Sequence, residues 1–516
     1  MAILSACTGE QEASAPAETA VAVSPVPTIA EGVAEETAVS PTTPPQPSAT
    51  PPPIDSDTPS SITILYTNDE HGWMEGIAPE KGAAQLMGLW GSEEAYDPEG
   101  PFLVLSGGDM WTGPAISTWF DGVSMVEVMN SMGYAAAAIG NHEFDFGLDA
   151  LLLRSQQADF PFLSANIRYV DDGSFPKDLG IEPYTIVGVG DMQVGIIGLT
   201  TQLTPQTTNP ANVAQFKFID YTTALREVVP QVKEEGADLI LVPGHICRYE
   251  LEQLANAVAD LGIHLLGGGH CNELFADEVA NIVLLEGGSS LSSYAFAEFF
   301  IDAETKEVVD VDYGVRPNAG GKADPMVEAI VAEWQAATNE ELAVVIGYTE
   351  IGLERRSQAM QDLTTEAWLW AYPTADVAIT NLGGMRADLP PGDIELSDII
   401  TIMPFDNVLI ELTVSGSDLR KILARAAGDA VGGMESDVIT WSFKESGDPL
   451  DPNGTYSLLV NSFMYAGGDD YTILAQSDPT AYDTGIDWRQ PVIDWILAQD
   501  SSTDYPIDEA INALGR

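Results

Sequence analysis

The chain has 516 residues, with 20 Lys and Arg against 79 Asp and Glu, a formal charge of −59 and a hydrophobic fraction of 45%. That apolar content is normal for globular proteins and excludes a wholly disordered acidic chain; the length, at roughly 150 residues per domain, suits two to four domains. The charge excludes a general binder of nucleic-acid polymers, whose phosphates need a basic surface, and disfavours docking on anionic lipid by charge alone.

In chain order, the first feature is Leu4-Ser5-Ala6-Cys7, which resembles the processing box of a bacterial lipoprotein, where the cysteine is lipidated and becomes the new N-terminus. Only six residues precede Cys7 and the first basic residue is Lys81, so residues 1–7 read as a truncated signal with Cys7 as the lipidation site. Residues 8–60 hold 11 of the 33 prolines and no Lys or Arg, and are rich in Ala, Thr, Ser and Glu. Such a stretch buries too little apolar surface to offset its ordering entropy and is predicted to be a disordered tether. A lipid-attached cysteine, a tether and folded domains describe an extracytoplasmic protein, anchored at the cell surface or secreted. No apolar run reaches the roughly 18 residues that a spanning helix requires.

From Ile62 onward, short apolar runs end in Gly, Asp, Asn or His. Ile62–Tyr66 leads into Thr67-Asn68-Asp69-Glu70-His71-Gly72, Phe102–Leu105 into Ser106-Gly107-Gly108-Asp109, and Ala135–Ile139 into Gly140-Asn141-His142-Glu143. Leu239–Val242 leads into Pro243-Gly244-His245, and Ile263–Leu266 into Gly267-Gly268-Gly269-His270. Runs of this length bounded by turn residues predict buried strands, and Val123–Met132, Tyr221–Glu235 and Tyr249–Leu261 between them predict helices. The alternation predicts a layered α/β domain over 61–318, with its site just past the carboxyl ends of the strands. Pro325–Glu341, with apolar Met326, Ile330, Val331, Trp334 and nearby Leu342, predicts a linker helix within 319–343. Residues 344–516 then form a smaller mixed α/β domain containing Val377–Thr380, Val408–Val414 and Tyr456–Val460.

Histidine is scarce, and its placement is informative. Of five histidines, His71, His142, His245 and His270 follow predicted strands, while His264 sits inside an apolar run and reads as a satisfied core or edge residue. Asp69 and His71 alternate along what reads as an extended segment, so both would face one side. Asp69, Asp109, Asn141, His71, His245 and His270 offer carboxylate, amide and imidazole donors, a mixture suited to Zn, Mn, Fe or Co. A bridging carboxylate can hold two such ions, as hydrolytic two-metal sites require. Cys247 and Cys271 are expected to be two small half-buried residues near the site, in preference to a disulfide or a soft metal ligand.

These motifs, with Gly140-Asn141-His142-Glu143-Phe144-Asp145 the most specific and Gly269-His270-x-Asn272 the last, resemble the calcineurin-like metallophosphoesterases, and more closely the 5′-nucleotidase family. The resemblance covers essentially all of the chain beyond residue 60. It implies a four-layer αββα sandwich, a helical linker and a C-terminal substrate-binding domain. It also implies two divalent ions, one held by Asp69, His71, Asp109 and Asn272, the other by Asp109, Asn141, His245 and His270. Asn272 stands where many phosphoesterases carry His, so that ion should exchange more easily. His142 would face the phosphate, with Asp145 fixing its ring and raising its pKa. A cationic His142 would stabilise charge on the phosphoryl oxygens or assist the leaving oxygen.

The C-terminal half carries further motifs of the family. Asn381-Leu382-Gly383-Gly384-Met385-Arg386, Pro404-Phe405, and Asn461-Ser462-Phe463-Met464-Tyr465-Ala466-Gly467-Gly468-Asp469 resemble its nucleotide-binding loops. The resemblance implies that Phe405 and Phe463 sandwich the base, Asp469 accepts from the ribose hydroxyls, and Arg356 and Arg386 clamp phosphate or adjacent polar groups. Gln361-Asp362 replaces the family's usual Gly-Asn, which leaves the choice between Arg355 and Arg356 open. The implied activity is release of phosphate from nucleoside 5′-monophosphates. Hydrolysis of 2′,3′-cyclic nucleotides, nucleotide-sugars or another phosphorus or sulfur ester is the alternative within hydrolases. A non-catalytic surface nucleotide-binding protein is the alternative outside them. The sequence leaves the native metals, the base preference and the oligomeric state open.

An acidic excess of this size also suits a saline environment. Raising NaCl from about 0.1 M to about 1 M shortens the screening length from ~10 Å to ~3 Å and should raise the melting temperature; a flat or falling melting temperature across that series would remove the salt-adaptation reading.

Overall fold

The predicted apolar runs become neighbouring parallel strands, because each is followed by a segment long enough to cross back over the sheet. The computed structural model describes residues 60–436 and 440–514; Cys7 and nearly all of the 8–60 segment lie outside the described residues. One seven-stranded sheet runs in the order Val308–Pro317, Ser293–Ile301, Ser60–Thr67, Phe102–Ser106, Tyr134–Ala138, Phe162–Leu163, Ile181–Glu182. A six-stranded sheet runs Leu274–Val279, Ile282–Gly287, Leu265–Gly267, Leu239–Val242, Met192–Ile197, Tyr184–Val189. Ser60–Thr67, Phe102–Ser106 and Tyr134–Ala138 are parallel neighbours, as are Met192–Ile197, Leu239–Val242 and Leu265–Gly267.

The side-chain period of two divides each central strand between two cores. Ile62, Ile64 and Tyr66 pack between the sheets with Leu103, Leu105, Leu239, Leu241 and Leu285, while Leu65 faces the other way. Leu65, Val104 and Ala137 meet helices Ala83–Glu93 and Val123–Met132 through Leu86, Trp90, Met125 and Met129. On the far side, Ile240, Val242 and Leu266 meet helix Tyr221–Glu234 through Leu225, Val228 and Val232. The layers are therefore helix, sheet, sheet, helix. The region predicted as one helix over Tyr249–Leu261 is helix Arg248–Ala257 followed by a single tighter turn at Ala259–Leu261.

The linker helix spans Pro325–Leu342, with the Asp324 side chain accepting from the amides of Met326 and Val327. Ile330, Val331 and Trp334 pack on the first core as predicted, but Met326 is 66% exposed and its neighbour Val327 is buried instead. The cap starts the helix at Pro325, which turns Val327 toward the core. The C-terminal half holds a five-stranded sheet in the order Ala430–Gly432, Val377–Thr380, Thr455–Asn461, Val408–Ser415, Tyr482–Asp487. The two halves meet at Ala115, Leu342 and Ile400, and the Ala115 amide donates to Thr401 Oγ1 at 3.0 Å. No helix among the described residues is long and apolar enough to cross a membrane.

His264 is half-buried, and its Nδ1 accepts from the Ile240 amide at 3.1 Å, in keeping with a structural residue. The cysteines correct the sequence reading: Cys247 and Cys271 form a disulfide, with Cα atoms 5.2 Å apart. Their 24-residue separation carries no distance, but Leu239–Val242 and Leu265–Gly267 are adjacent parallel strands, and the loops leaving them start side by side. Reduction, or Cys247→Ser with Cys271→Ser, opens a loop of this length and should cost about 3 kcal/mol of stability. Denaturant midpoints with and without dithiothreitol measure this, and coincident midpoints would show that the bond contributes nothing.

Glu286, on strand Ile282–Gly287, is fully buried and accepts from the Glu273 amide at 2.8 Å. Burial pushes its carboxyl from an ordinary 4.5 up to about 9. The unfolded chain releases this proton above its ordinary value while the folded chain keeps it, so stability is lost as pH rises from 4.5 toward about 9. Glu286→Gln should therefore be stabilised relative to the parent at pH 8 and much less so at pH 5; equal differences at both pH values would contradict this.

Candidate active site

The candidate ligands leave the carboxyl ends of the parallel strands of both sheets, and Tyr66 Oη ties the sheets together there by donating to the Gly268 carbonyl at 2.9 Å. Asp69 and His71 follow strand Ser60–Thr67, Asp109 follows Phe102–Ser106, and Asn141 and His142 follow Tyr134–Ala138. His245 follows Leu239–Val242, and His270 and Asn272 follow Leu265–Gly267.

The predicted alternation of Asp69 and His71 along an extended segment is not what the backbone does. Asp69 (φ 48°), His71 (φ 47°), Asp109 (φ 60°), His270 (φ 72°) and Asn272 (φ 55°) all lie in the left-handed region. Such residues are costly in isolation and persist where the surroundings over-determine them. Here the loops are cross-braced: the Asp69 amide donates to the Gly108 carbonyl and the His71 amide to the Asp109 carbonyl, both at 2.9 Å. The Glu143 carboxyl accepts from the amides of Asp109, Met110 and Gly140. Gly140 is required because a Cβ there would stand 2.2 Å from Asp109 Oδ1.

Two donor groups result, each with ligand atoms within 4.8 Å of one another: Asp69, His71 and Asp109, and Asp109, His245 and His270. Asp109 belongs to both, with Oδ2 2.9 Å from His245 Nε2 and 3.9 Å from His71 Nε2. Each ring is aimed by a second contact. His71 Nδ1 is 2.9 Å from the Thr112 carbonyl and His245 Nδ1 is 2.9 Å from the Gly107 carbonyl, which leaves their Nε2 atoms facing the carboxylates. Asn141 Nδ2 donates to the Thr207 carbonyl, and its Oδ1 is buried with no hydrogen-bond partner among the described residues. An orphaned amide oxygen beside two imidazole–carboxylate groups that share one carboxylate fits divalent metal binding. Asn272 lines the same cleft.

The electrostatics support that fit at His71 and His270, whereas at His245 burial opposes the charge but Asp109 outweighs it and raises the ring to about 10, a proton that a bound ion would displace. Burial and the Arg386 guanidinium hold His71 well below its ordinary pKa, and burial with His245 lowers His270 to about 4, so both rings keep free lone pairs. Burial alone would raise Asp109, but His245, His142 and His71 around it hold the carboxyl well below the usual range. His142 is raised: burial opposes its charge, and Asp145 and Asp109 outweigh burial. Its Nδ1 lies 2.7 Å from Asp145 Oδ2.

The second half closes the cleft. Asn381, Gly383, Gly384, Arg386, Phe405, Phe463 and Asp469 line it together with Asp69, His71, Asp109, Asn141, His142, Asp145, His270 and Asn272; His245 lies buried behind. Arg386 Nη2 is 3.2 Å from His71 Nε2, and the Phe405 ring stacks on His142 with centroids 5.5 Å apart. Asn461 Nδ2 donates to Asn381 Oδ1 at 2.9 Å, and Asn381 Nδ2 donates to Asp469 Oδ2 at 2.8 Å, which fixes that carboxylate. The Phe463 ring lies on Gly468, where a Cβ would stand 2.3 Å from it. Arg356 is exposed and outside the lining; the half-buried Arg355 sends Nη1 to the Arg386 carbonyl at 3.3 Å.

Sequence reasoning missed several contributors. Glu143 stood inside the most specific motif, but its bracing role needed the fold. Glu70, which accepts from Thr67 Oγ1 and Ser106 Oγ beneath the loops, and the cleft-lining Thr207, Thr208 and Asn209 carry no signal in the sequence.

Residues 338–476 match the family model of the 5′-nucleotidase C-terminal domain. The chain is 29% identical to protein UshA of Yersinia enterocolitica, over 80% of this chain and 86% of that protein. It is 26% identical to a 5′-nucleotidase of Vibrio parahaemolyticus, over 86% of this chain and 90% of that one. In fold it is similar to the crystal structure of a 5′-nucleotidase precursor from Thermus thermophilus, with a TM-score of 0.73 and 24% identity, covering 86% of this chain and 97% of that one. Along most of its length this chain is therefore similar to 5′-nucleotidases, and it is a hydrolase whose residues 338–476 match their C-terminal domain.

Proposed function

We propose that the protein is an extracytoplasmic enzyme that releases phosphate from nucleoside 5′-monophosphates with the help of two divalent ions. The observation that carries the reading is that a single cleft is lined both by members of the two carboxylate–imidazole groups, Asp69, His71, Asp109 and His270, and by Phe405, Phe463 and Asp469. The first set suits a phosphoryl group and the second a nucleoside. One ion would be held by Asp69, His71, Asp109 and Asn272, and the other by Asp109, Asn141, His245 and His270. When bound, such ions supply an activated water and offset the charge on the phosphoryl oxygens.

The chain's own residues do the rest. His142, with Nδ1 held by Asp145, keeps a proton on Nε2 for a phosphoryl oxygen or the departing 5′-oxygen. Arg386 brings a buried guanidinium to the edge of the cage, where a phosphate would be clamped. Phe405 and Phe463 offer faces to the base, and Asp469 accepts from the ribose hydroxyls. In the present arrangement Phe405 lies on His142 and Arg386 on His71, so the halves part about the Pro325–Leu342 helix to admit a nucleotide. The Cys247–Cys271 disulfide fits an oxidising compartment, and Leu4-Ser5-Ala6-Cys7 fits a lipid anchor.

Phosphate release from AMP tests the reading. Activity should vanish with a chelator, return with Mn, Zn or Co, and fall in His142→Ala. Phe405→Ala should raise KM about 5- to 150-fold, the loss of ~1–3 kcal/mol of stacking. Activity on AMP indifferent to Phe405→Ala would point to a non-nucleotide phosphorus or sulfur ester, and a metal-loaded protein inert on every ester would point to a nucleotide-binding surface protein.

A further inference from the structure

A catalytic histidine is only as well aimed as the carboxylate that holds it, and Asp145 has two oxygens to be fixed. Oδ2 takes the His142 ring at 2.7 Å, and Oδ1 accepts from the hydroxyl of Thr208 at 2.8 Å. Thr208 is 63 residues further along the chain and 2% exposed. It belongs to a short wall of the cleft formed by two single-turn helices, Thr204–Thr207 and Pro210–Val213, which lie on either side of it. Thr204 is buried and donates its Oγ1 to the Thr201 carbonyl at 2.7 Å, and Val213 is buried in the first core, so the wall is held at both ends.

The same wall reaches the neighbouring residues. Asn212 Nδ2 donates to the Phe144 carbonyl at 2.8 Å, and the Thr207 carbonyl accepts from Asn141 Nδ2 at 3.2 Å. One segment thus orients the amide of Asn141 and the carboxylate of Asp145, while the His142 amide is pinned on Asp109 Oδ1 at 2.9 Å.

We propose that Thr208 is a positioning residue for the His142–Asp145 pair: its hydroxyl fixes the plane of the Asp145 carboxylate, and through it the aim of the His142 ring at the phosphoryl group. Without the hydroxyl, Oδ1 of a carboxylate whose side chain is only 7% exposed loses a donor, and the carboxyl group is free to rotate away from His142. The inference rests on the role given to His142 above and adds a residue that acts on it from outside the motif.

The test is turnover of AMP by the metal-loaded enzyme in a double-mutant cycle. Thr208→Val keeps the shape and removes the hydroxyl; it should lower kcat by about 10- to 100-fold with KM unchanged, and Thr208→Ser should restore kcat. In a His142→Ala background, Thr208→Val should add no further loss, because the two act as one unit. Melting temperatures and bound-metal equivalents, matching those of the parent, exclude a folding or loading defect; Thr208→Ala serves if valine disturbs the wall. A Thr208→Val enzyme at full kcat beside a crippled His142→Ala enzyme would overturn this inference alone, as would an equal further loss in the His142→Ala background. A His142→Ala enzyme at full kcat would overturn the reading of His142 and this inference with it.

Discussion

The Asp109 carboxylate stands between the imidazoles of His245 and His71, and both donor groups of the cleft are organised around it. A carboxylate buried among histidines is stable only if the surroundings compensate it, and here they do so on every side. Oδ1 accepts from the His142 amide, Oδ2 faces the rings, and the residue's own amide donates to Glu143. The left-handed backbone at Asp109 and the absence of a side chain at Gly140 let the carboxylate reach the line where the two sheets meet. A two-sheet sandwich brings ligands from both sheets to one edge, and the shared carboxylate joins them.

The second half uses this centre without adding a ligand group to it. Arg386 and Phe405 come from loops of the C-terminal half and touch His71 and His142, so the arginine and the aromatic face meet the cage only when the halves are packed together. The Asn461–Asn381–Asp469 chain of hydrogen bonds holds the carboxylate at the far end of the same cleft. Under the proposed function, phosphoryl chemistry falls to the first half and nucleoside recognition to the second.

Much of this was legible in the order of residues. Strands such as Leu239–Val242 and Val377–Thr380 appear as short apolar runs because both faces are buried, and helix Val123–Met132 because its apolar spacing follows the turn of the helix. The polar residues that follow the runs are legible because parallel strands deliver their carboxyl ends to one edge. The failures share a cause. The Cys247–Cys271 bond, the left-handed backbone at Asp69 and His71, and the reach of Thr208 to Asp145 leave no local signal, because each depends on which segments become neighbours or on a local backbone that neighbours impose. Arg355 and Arg356 illustrate the same limit at finer grain: neither is in the lining of the cleft, and Arg355 Nη1 reaches the Arg386 carbonyl instead.

By itself the sequence determined the layered α/β class and the chemistry of the donor set, since these follow from periodicity and from residue types at strand ends. Only the tertiary structure decided that Cys247 joins Cys271, that Asn141 Oδ1 is left without a partner among the described residues, and that Thr208 reaches Asp145. Those are distances between segments far apart in the chain, and they are set by sheet order and by the packing of loops, neither of which is local.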